Sequence, residues 1–340
     1  MDGIALSGGG WRAKNAWGVG FVKARPVGLL RPDNPCNIAD FVRYTGAASR
    51  RWWPGSGQMA RTEPMMRRLL ILAAAIVATA QPAVAGVLER VKETGSLRIG
   101  YRADAPPYSY QDGQGRPAGY IVELCREVAA ALGPKVRAEY VLVHAGQRFE
   151  SVRDGKVDIL CDPSTVTIAR RDIVDFSIPT FLDGASVLSR RSAPVQRFED
   201  LAGKRVGVLI GTTTERVLRD SFDAIAVKAT IVPVLDHRNG MKMVEDTELD
   251  AYVADRSILA AMLRQGGRPG FELSKRYFSY ETYALAIPRD DSAFRLMVDR
   301  TLAQLYRSGR VKDILARAFD NAPHDEMLDA MFIINSLPER

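Results

Sequence analysis

Residues 157–181 constrain the fold more tightly than any other stretch of the chain. The run Val157-Asp158-Ile159-Leu160 is short and apolar, as a buried strand is, and Pro163 ends it, because proline lacks an N–H and pushes Asp162 out of the helical region. Ser164, Thr165 and Thr167 then stand where a short helix carrying Arg170 and Arg171 would begin. Hydroxyls and free backbone N–H groups at a helix start, with a guanidinium one turn further on, form a receptor for a carboxylate or phosphate. The expectation is an α/β protein with an anion site beyond the end of this strand.

Charge enters because its distribution decides the class. The 340 residues carry a formal net charge of +7, which taken whole would suggest nucleic-acid or membrane binding. Of the 47 Lys and Arg and 40 Asp and Glu, however, 11 and 4 lie within residues 1–85, which leaves 36 of each sign in the remainder. From Gly86 onward the chain is formally neutral, so no nucleic-acid partner is expected.

Residues 65–85 read as a signal peptide: Met65-Met66-Arg67-Arg68 is a positive start, an apolar run follows, and Ala83-Val84-Ala85 is a small-x-small cleavage signal. Thr79, Gln81 and Pro82 break the run before it reaches the roughly twenty residues a membrane span needs. A leader of this kind does not normally follow 64 other residues. Residues 1–64, rich in Gly, Arg and Trp, are therefore expected to be a disordered upstream extension assigned by mistake, with true initiation at Met65 or Met66.

The exported part alternates strands and helices. Strands are expected at 97–101, 137–143, 157–160, 185–188, 230–235, 249–255 and 280–288, and another lies in the unit at 198–215. The helix opening at Gly119 places Ile121, Leu124, Cys125, Val128 and Leu132 on one face. Residues 198–215 form a turn, a strand, a Gly-Thr-Thr loop and a helix start, so Thr212 and Thr213 repeat the arrangement of hydroxyls and N–H groups. Helices are expected at 292–308 and, as the last element, at 311–319. Cys125 and Cys161 are the two cysteines after the leader; a disulfide behind the site is expected, with two buried free thiols as the alternative. His144, His237 and His324 have no metal-ligand spacing, and neither a metal nor a cofactor is expected.

The strand, the Thr165-x-Thr167-x-x-Arg170 motif and the run Val174-Asp175-Phe176-Ser177-x-Pro179 together resemble the ligand-binding segment of periplasmic amino-acid-binding proteins of ABC importers, solute-binding protein family 3. The resemblance runs from about residue 95 to 320 and is closest in character to the glutamate/aspartate-binding branch. It implies two α/β lobes of the type II periplasmic-binding-protein fold, residues 87–187 plus 284–340 and residues 188–283. It also implies a ligand cleft between them, a monomer in the periplasm of a Gram-negative cell, and ABC permease subunits as partners.

The resemblance further implies that Arg170, with Thr165, clamps an α-carboxylate, that Thr213 assists from the second lobe, and that Asp255 meets the α-ammonium. Each residue also has a plainer reading: Arg170 capping a helix on a solvated face, Thr212 or Thr213 as an N-cap, Asp255 as the cap of the next helix. Tyr108 stands where relatives stack an aromatic on the ligand, or else it packs between strands. Arg148 matches a position used for a second anionic or polar group, or else pairs with Glu150 or Asp154. Ala105 replaces the stacking tyrosine of basic-amino-acid binders, and Asp162-Pro163 departs from the small residues usual beside the motif. The ligand expected is a polar or acidic amino acid or a similar carboxylate. The alternative is a cyclohexadienyl dehydratase-like enzyme on the same fold, for which no dedicated acid–base pair is visible.

Overall fold

The computed structural model describes residues 86–322 and 325–340; the expected extension and signal peptide lie outside the described residues. The chain begins with α1 (Val87–Thr94) and β1 (Ser96–Tyr101), then a small hairpin region of β2 (Asp104–Ala105), β3 (Ser109–Gln111) and β4 (Pro117–Ala118). Next come α2 (Tyr120–Ala131), β5 (Arg137–Leu142), α3 (Arg148–Arg153), β6 (Ile159–Cys161), α4 (Ile168–Arg171) and β7 (Asp175–Asp183). A second unit holds β8 (Ala185–Arg190), β9 (Arg205–Leu209), α5 (Thr213–Ala224), β10 (Thr230–Val234), α6 (His237–Glu245), β11 (Ala251–Asp255), α7 (Arg256–Gly266) and β12 (Phe271–Leu273). The chain returns through β13 (Glu281–Ile287) to α8 (Ser292–Arg307), α9 (Arg310–Ala318) and α10 (Glu326–Ile334).

Two five-stranded sheets result, ordered β5-β1-β6-β13-β7 and β10-β9-β11-β8-β12. In the first, β5, β1 and β6 run parallel, with Ile99 opposite both Tyr140 and Ile159, while β13 is antiparallel to its neighbours. In the second, β10, β9 and β11 are parallel and β8 is antiparallel to β11 and β12. Each lobe is thus a parallel sheet with its returning strands at one side, and those strands carry the chain between lobes.

Alternation of apolar residues explains the layers. Leu97 and Ile99 of β1 are fully buried against the face of α2 that carries Ile121, Leu124, Cys125 and Val128, all fully buried as the helical spacing predicts. Central β1 and β6 are buried almost throughout, whereas edge strand β5 keeps Arg137 and Glu139 exposed. Gly119 has φ 121°, and a Cβ there would stand 2.4 Å from the Tyr108 carbonyl oxygen, so only glycine lets α2 start this close to the turn before it. Cys125 and Cys161 form a disulfide with a Cα separation of 6.3 Å, tying α2 to the last residue of β6.

Three expectations are corrected. Residues 185–188 belong to the second sheet, not the first, so the first crossing between lobes falls at Gly184 rather than after 187. The second falls before Glu281, where β13 joins β7, rather than after 283. At the first crossing β7 runs almost directly into β8 through Gly184, and at the second the irregular stretch 274–280 leads into β13; neither stretch carries a local mark of which sheet the next strand joins. A Cβ on Gly184 would lie 1.9 Å from the Ser279 carbonyl oxygen, so the two crossing segments approach at backbone distance. Finally, α10 follows α9, burying Leu328, Met331 and Phe332; Met327, Ile333 and Ile334 are apolar as well and exposed, so no one-sided period marks this helix.

Candidate functional site

The carboxyl ends of β6, β9 and β11 face one another across the cleft, and the loops that follow them supply the site. After β6, the segment 162–166 crosses to the hinge strand: the Val166 N–H donates to Thr282 O at 2.9 Å and the Ala284 N–H to Ser164 O at 3.1 Å. Thr167 caps α4 by accepting the Arg170 N–H at 3.1 Å. That cap aims the Arg170 side chain back along its own loop, where Nη1 donates to Thr165 O at 2.7 Å and the guanidinium lies 4.7 Å from the centroid of Phe149. Burial, followed by the nearness of Arg148, pushes Arg170 down to about 10, so it remains a cation at neutral pH. Among the described residues no carboxylate forms an ion pair with it.

Thr165 and Thr213 meet across the lobes, their hydroxyls 3.2 Å apart. Both donate to Oε2 of Glu281, Thr213 at 2.6 Å, while Oε1 of Glu281 accepts the Ser279 hydroxyl at 3.0 Å. Glu281 is the first residue of β13 and is buried. Thr214 donates to Asp255 at 3.4 Å, and Asp255 is held well above the carboxylate range by burial, then by the charges of Glu281 and Asp183. Asp183, the last residue of β7, accepts the Tyr108 hydroxyl at 2.9 Å and the Ser257 N–H of the second lobe at 3.2 Å, and burial raises it to about 6. The cleft therefore has a cationic pole at Arg170 and an acidic pole of Asp255, Glu281 and Asp183, with two hydroxyls between them.

The other expected site residues fall as follows. Thr212 N-caps α5, accepting the Glu215 N–H at 3.2 Å and donating to Leu209 O at 2.7 Å; it supports the loop from behind. Asp255 does not cap α7 with its side chain, so the capping alternative does not hold there. Pro163 is buried at the strand end. Tyr108 is 0% exposed, its ring 5.0 Å from Phe181, 5.4 Å from Tyr283 and 5.7 Å from Phe319, so it belongs to the aromatic core and does not offer a face for ligand stacking. Arg148 pairs with neither Glu150 nor Asp154; its Nε lies 3.1 Å from Oδ2 of Asp162, Nη1 donates to Ala145 O, and the guanidinium lies 4.5 Å from the Phe149 ring.

Sequence reasoning missed Glu281, Asp183 and the pairing of Asp162. For Glu281 a signal existed, an acid opening the strand that returns to the first lobe. At the cleft mouth it also missed Arg102, buried and held by Asp104 through Nε at 2.8 Å and Nη2 at 2.8 Å. Asp104 further accepts the His237 N–H at 2.9 Å, and Arg238 donates to Ala103 O at 2.8 Å, which clasps the lobes together at the edge away from the hinge. Beyond this clasp the mouth widens to a cavity of ≈ 1370 Å³ lined by Leu142, Gln147, Ile210, Leu235 and Met243 among others. Among the described residues no three His, Cys, Asp or Glu side chains are placed to hold a metal ion, and no helix is long and apolar enough to cross a membrane.

Residues 97–321 match the family model for bacterial extracellular solute-binding proteins, family 3. The chain belongs to this family. This solute-binding protein is 32% identical over 262 residues to the L-glutamate/L-aspartate-binding protein of Pseudomonas aeruginosa, covering 73% of this chain and 87% of that one. Among solved structures it is similar to a mutant of ArgBP from T. maritima, with a TM-score of 0.63 at 26% identity over 68% of this chain and 99% of that one. It is equally similar to an ancestral amino-acid-binding protein described as a precursor of cyclohexadienyl dehydratase, with a TM-score of 0.62 at 26% identity over 69% and 100%. The named relatives are binding proteins, which sets this solute-binding protein with binders and not with enzymes.

Proposed function

We propose that this protein binds an α-amino acid between its lobes and delivers it, closed, to the membrane subunits of an ABC importer. The observation that carries this reading is the opposition of charge across the Thr165–Thr213 contact: an unpaired guanidinium on one side and a cluster of carboxylates on the other. A zwitterion fits that pattern with its α-carboxylate on Arg170 and its ammonium between Asp255 and Glu281. The Thr165 and Thr213 hydroxyls both donate to Glu281. An arriving ammonium takes over Glu281, which frees both hydroxyls to turn toward the ligand carboxylate, so the two ends of the ligand reinforce each other. Because Thr165 and Arg170 come from one lobe and Thr213 and Asp255 from the other, the ligand stabilises the closed arrangement.

The test is a thermal-shift panel on protein refolded to strip carried-over ligand, against amino acids, small carboxylates and prephenate. A ligand at a hundredfold excess over Kd adds about 2.7 kcal/mol, a rise of roughly 5 to 10 °C for a chain of this size. A rise with an amino-acid class supports the reading. Silence toward amino acids together with turnover of prephenate would replace it with the lyase alternative.

A further inference from the structure

Three arginines approach the cleft from the first lobe, and two of them are already spent. Arg148 is 2% exposed and Asp162 0% exposed, and their Nε and Oδ2 stand 3.1 Å apart. Ser164 donates its hydroxyl to the other oxygen of Asp162, while Nη1 of Arg148 turns away to Ala145 O. Oδ2 of Asp162 has no well-angled hydrogen bond besides, so the guanidinium is its sole compensation in a fully buried position. At the mouth, Arg102 is held by Asp104 in a two-pronged pair whose carboxylate also accepts the His237 N–H of the second lobe. Breaking that pair would loosen the clasp between lobes. Further out, Lys242 is exposed and paired with Asp246 at 2.6 Å, and Arg238 donates to Ala103 O. Of these three first-lobe arginines, Arg170 is the one without a carboxylate partner among the described residues, and the opposite pole presents Asp255 and Glu281.

Resting on the amino-acid reading above, we infer that this site selects ligands with a single carboxylate, and that Asp162 is the residue that enforces the choice by neutralising Arg148 from behind. A second carboxylate entering the cleft meets one of two obstacles. Either it competes with a buried Asp162 for Arg148, leaving two anions on one guanidinium, or it lies near the acidic pole unpaired. A neutral amide at the same place has no such charge to satisfy. Its carbonyl oxygen can accept from Arg148 without placing a second anion on that guanidinium. The ligand class is thus polar, uncharged side chains of the amide or hydroxyl kind.

Isothermal titration of the whole protein with glutamine, asparagine, glutamate and aspartate tests this, since each amide is nearly isosteric with its acid. The expected result is that an amide binds at least about tenfold more tightly than the matching acid. Asp162→Asn, which keeps the shape and removes the charge, should narrow or reverse that ratio by about tenfold, because Arg148 is then free to meet a second carboxylate. Acids binding as tightly as amides in the unaltered protein, or a ratio unmoved by Asp162→Asn, would overturn the inference. The unaltered protein's ratio decides if the variant does not fold. Should neither pair bind and no other amino acid do so, the amino-acid reading itself falls; should an acid win, that reading stands and only the selection by Asp162 falls.

Discussion

Replacing Arg170 with alanine removes the unpaired cation of the cleft and leaves every core contact in place, apart from its stacking on Phe149. The expected outcome is a loss of ligand affinity of about a hundredfold or more with a small change in melting temperature, since charge-assisted hydrogen bonds in a desolvated site are the strong ones. Tyr108→Phe should do the opposite: ligand affinity stays within a few-fold, while stability falls by about 1–3 kcal/mol because Asp183 loses a buried donor. Calorimetric binding and chemical denaturation on both variants separate the two roles. These residues also differ in how far the sequence reveals them. Arg170 follows a threonine motif whose local geometry is fixed by a cap three residues away, so its place is legible. Tyr108 follows a Pro-Pro turn that reads alike whether the ring faces the cleft or Phe319, because the deciding neighbour lies some two hundred residues away in the chain. Arg148 is misleading for a similar reason: nearby acids in sequence, Glu150 and Asp154, suggest partners, while the strand register delivers Asp162.

At the scale of elements, strand β6 carries most of the burden. Its last residue, Cys161, is bonded to α2, and the next residue is Asp162, so the loop that holds Thr165 and Arg170 leaves from a covalently fixed point. A Cys125→Ser, Cys161→Ser double variant should lose about 2–4 kcal/mol of stability, measured by denaturant unfolding with and without a reductant. If reductant lowers the midpoint of the unaltered protein as little as that of the variant, the bond is not contributing in this way. The crossing strands give a second expectation. In Gly184→Ala the new Cβ would stand 1.9 Å from the Ser279 carbonyl oxygen and force the two backbones apart, and a loss of about 1–3 kcal/mol is expected, from a position the sequence marks only as one glycine among many. Element types were legible where periodicity was sustained, as in α2 and α8. Sheet membership at the crossings was not, because β8 and β13 each begin at a boundary and only tertiary pairing assigns them to a sheet.

For the molecule as a whole, the acidic pole sets how binding responds to pH. Asp183 is raised to about 6 and Asp255 well above the carboxylate range, burial being the main cause in each. A folded-state value above the unfolded one means that ionising Asp183 costs stability as pH rises from about 4 toward about 6. His237 works the other way: burial lowers it to about 4, so its contribution is lost as pH falls from about 6.5 toward 4. A bound ammonium favours the ionised carboxylates, so binding near pH 6 should release protons and affinity should rise with pH through that range. Calorimetry in buffers of different ionisation heat measures the proton count directly, and uptake instead of release would contradict the placement of the ammonium. The tyrosines around that pole have one more consequence. All four tryptophans lie at positions 11, 17, 52 and 53, so residues 86–340 emit ultraviolet light through tyrosine alone. The phenol of Tyr108 donates to a carboxylate that also accepts an N–H from the opposite lobe. Opening the lobes takes the Ser257 N–H from that carboxylate and leaves it a stronger acceptor for the excited phenol's proton, so the Tyr108 emission is expected to differ between the open and shut protein.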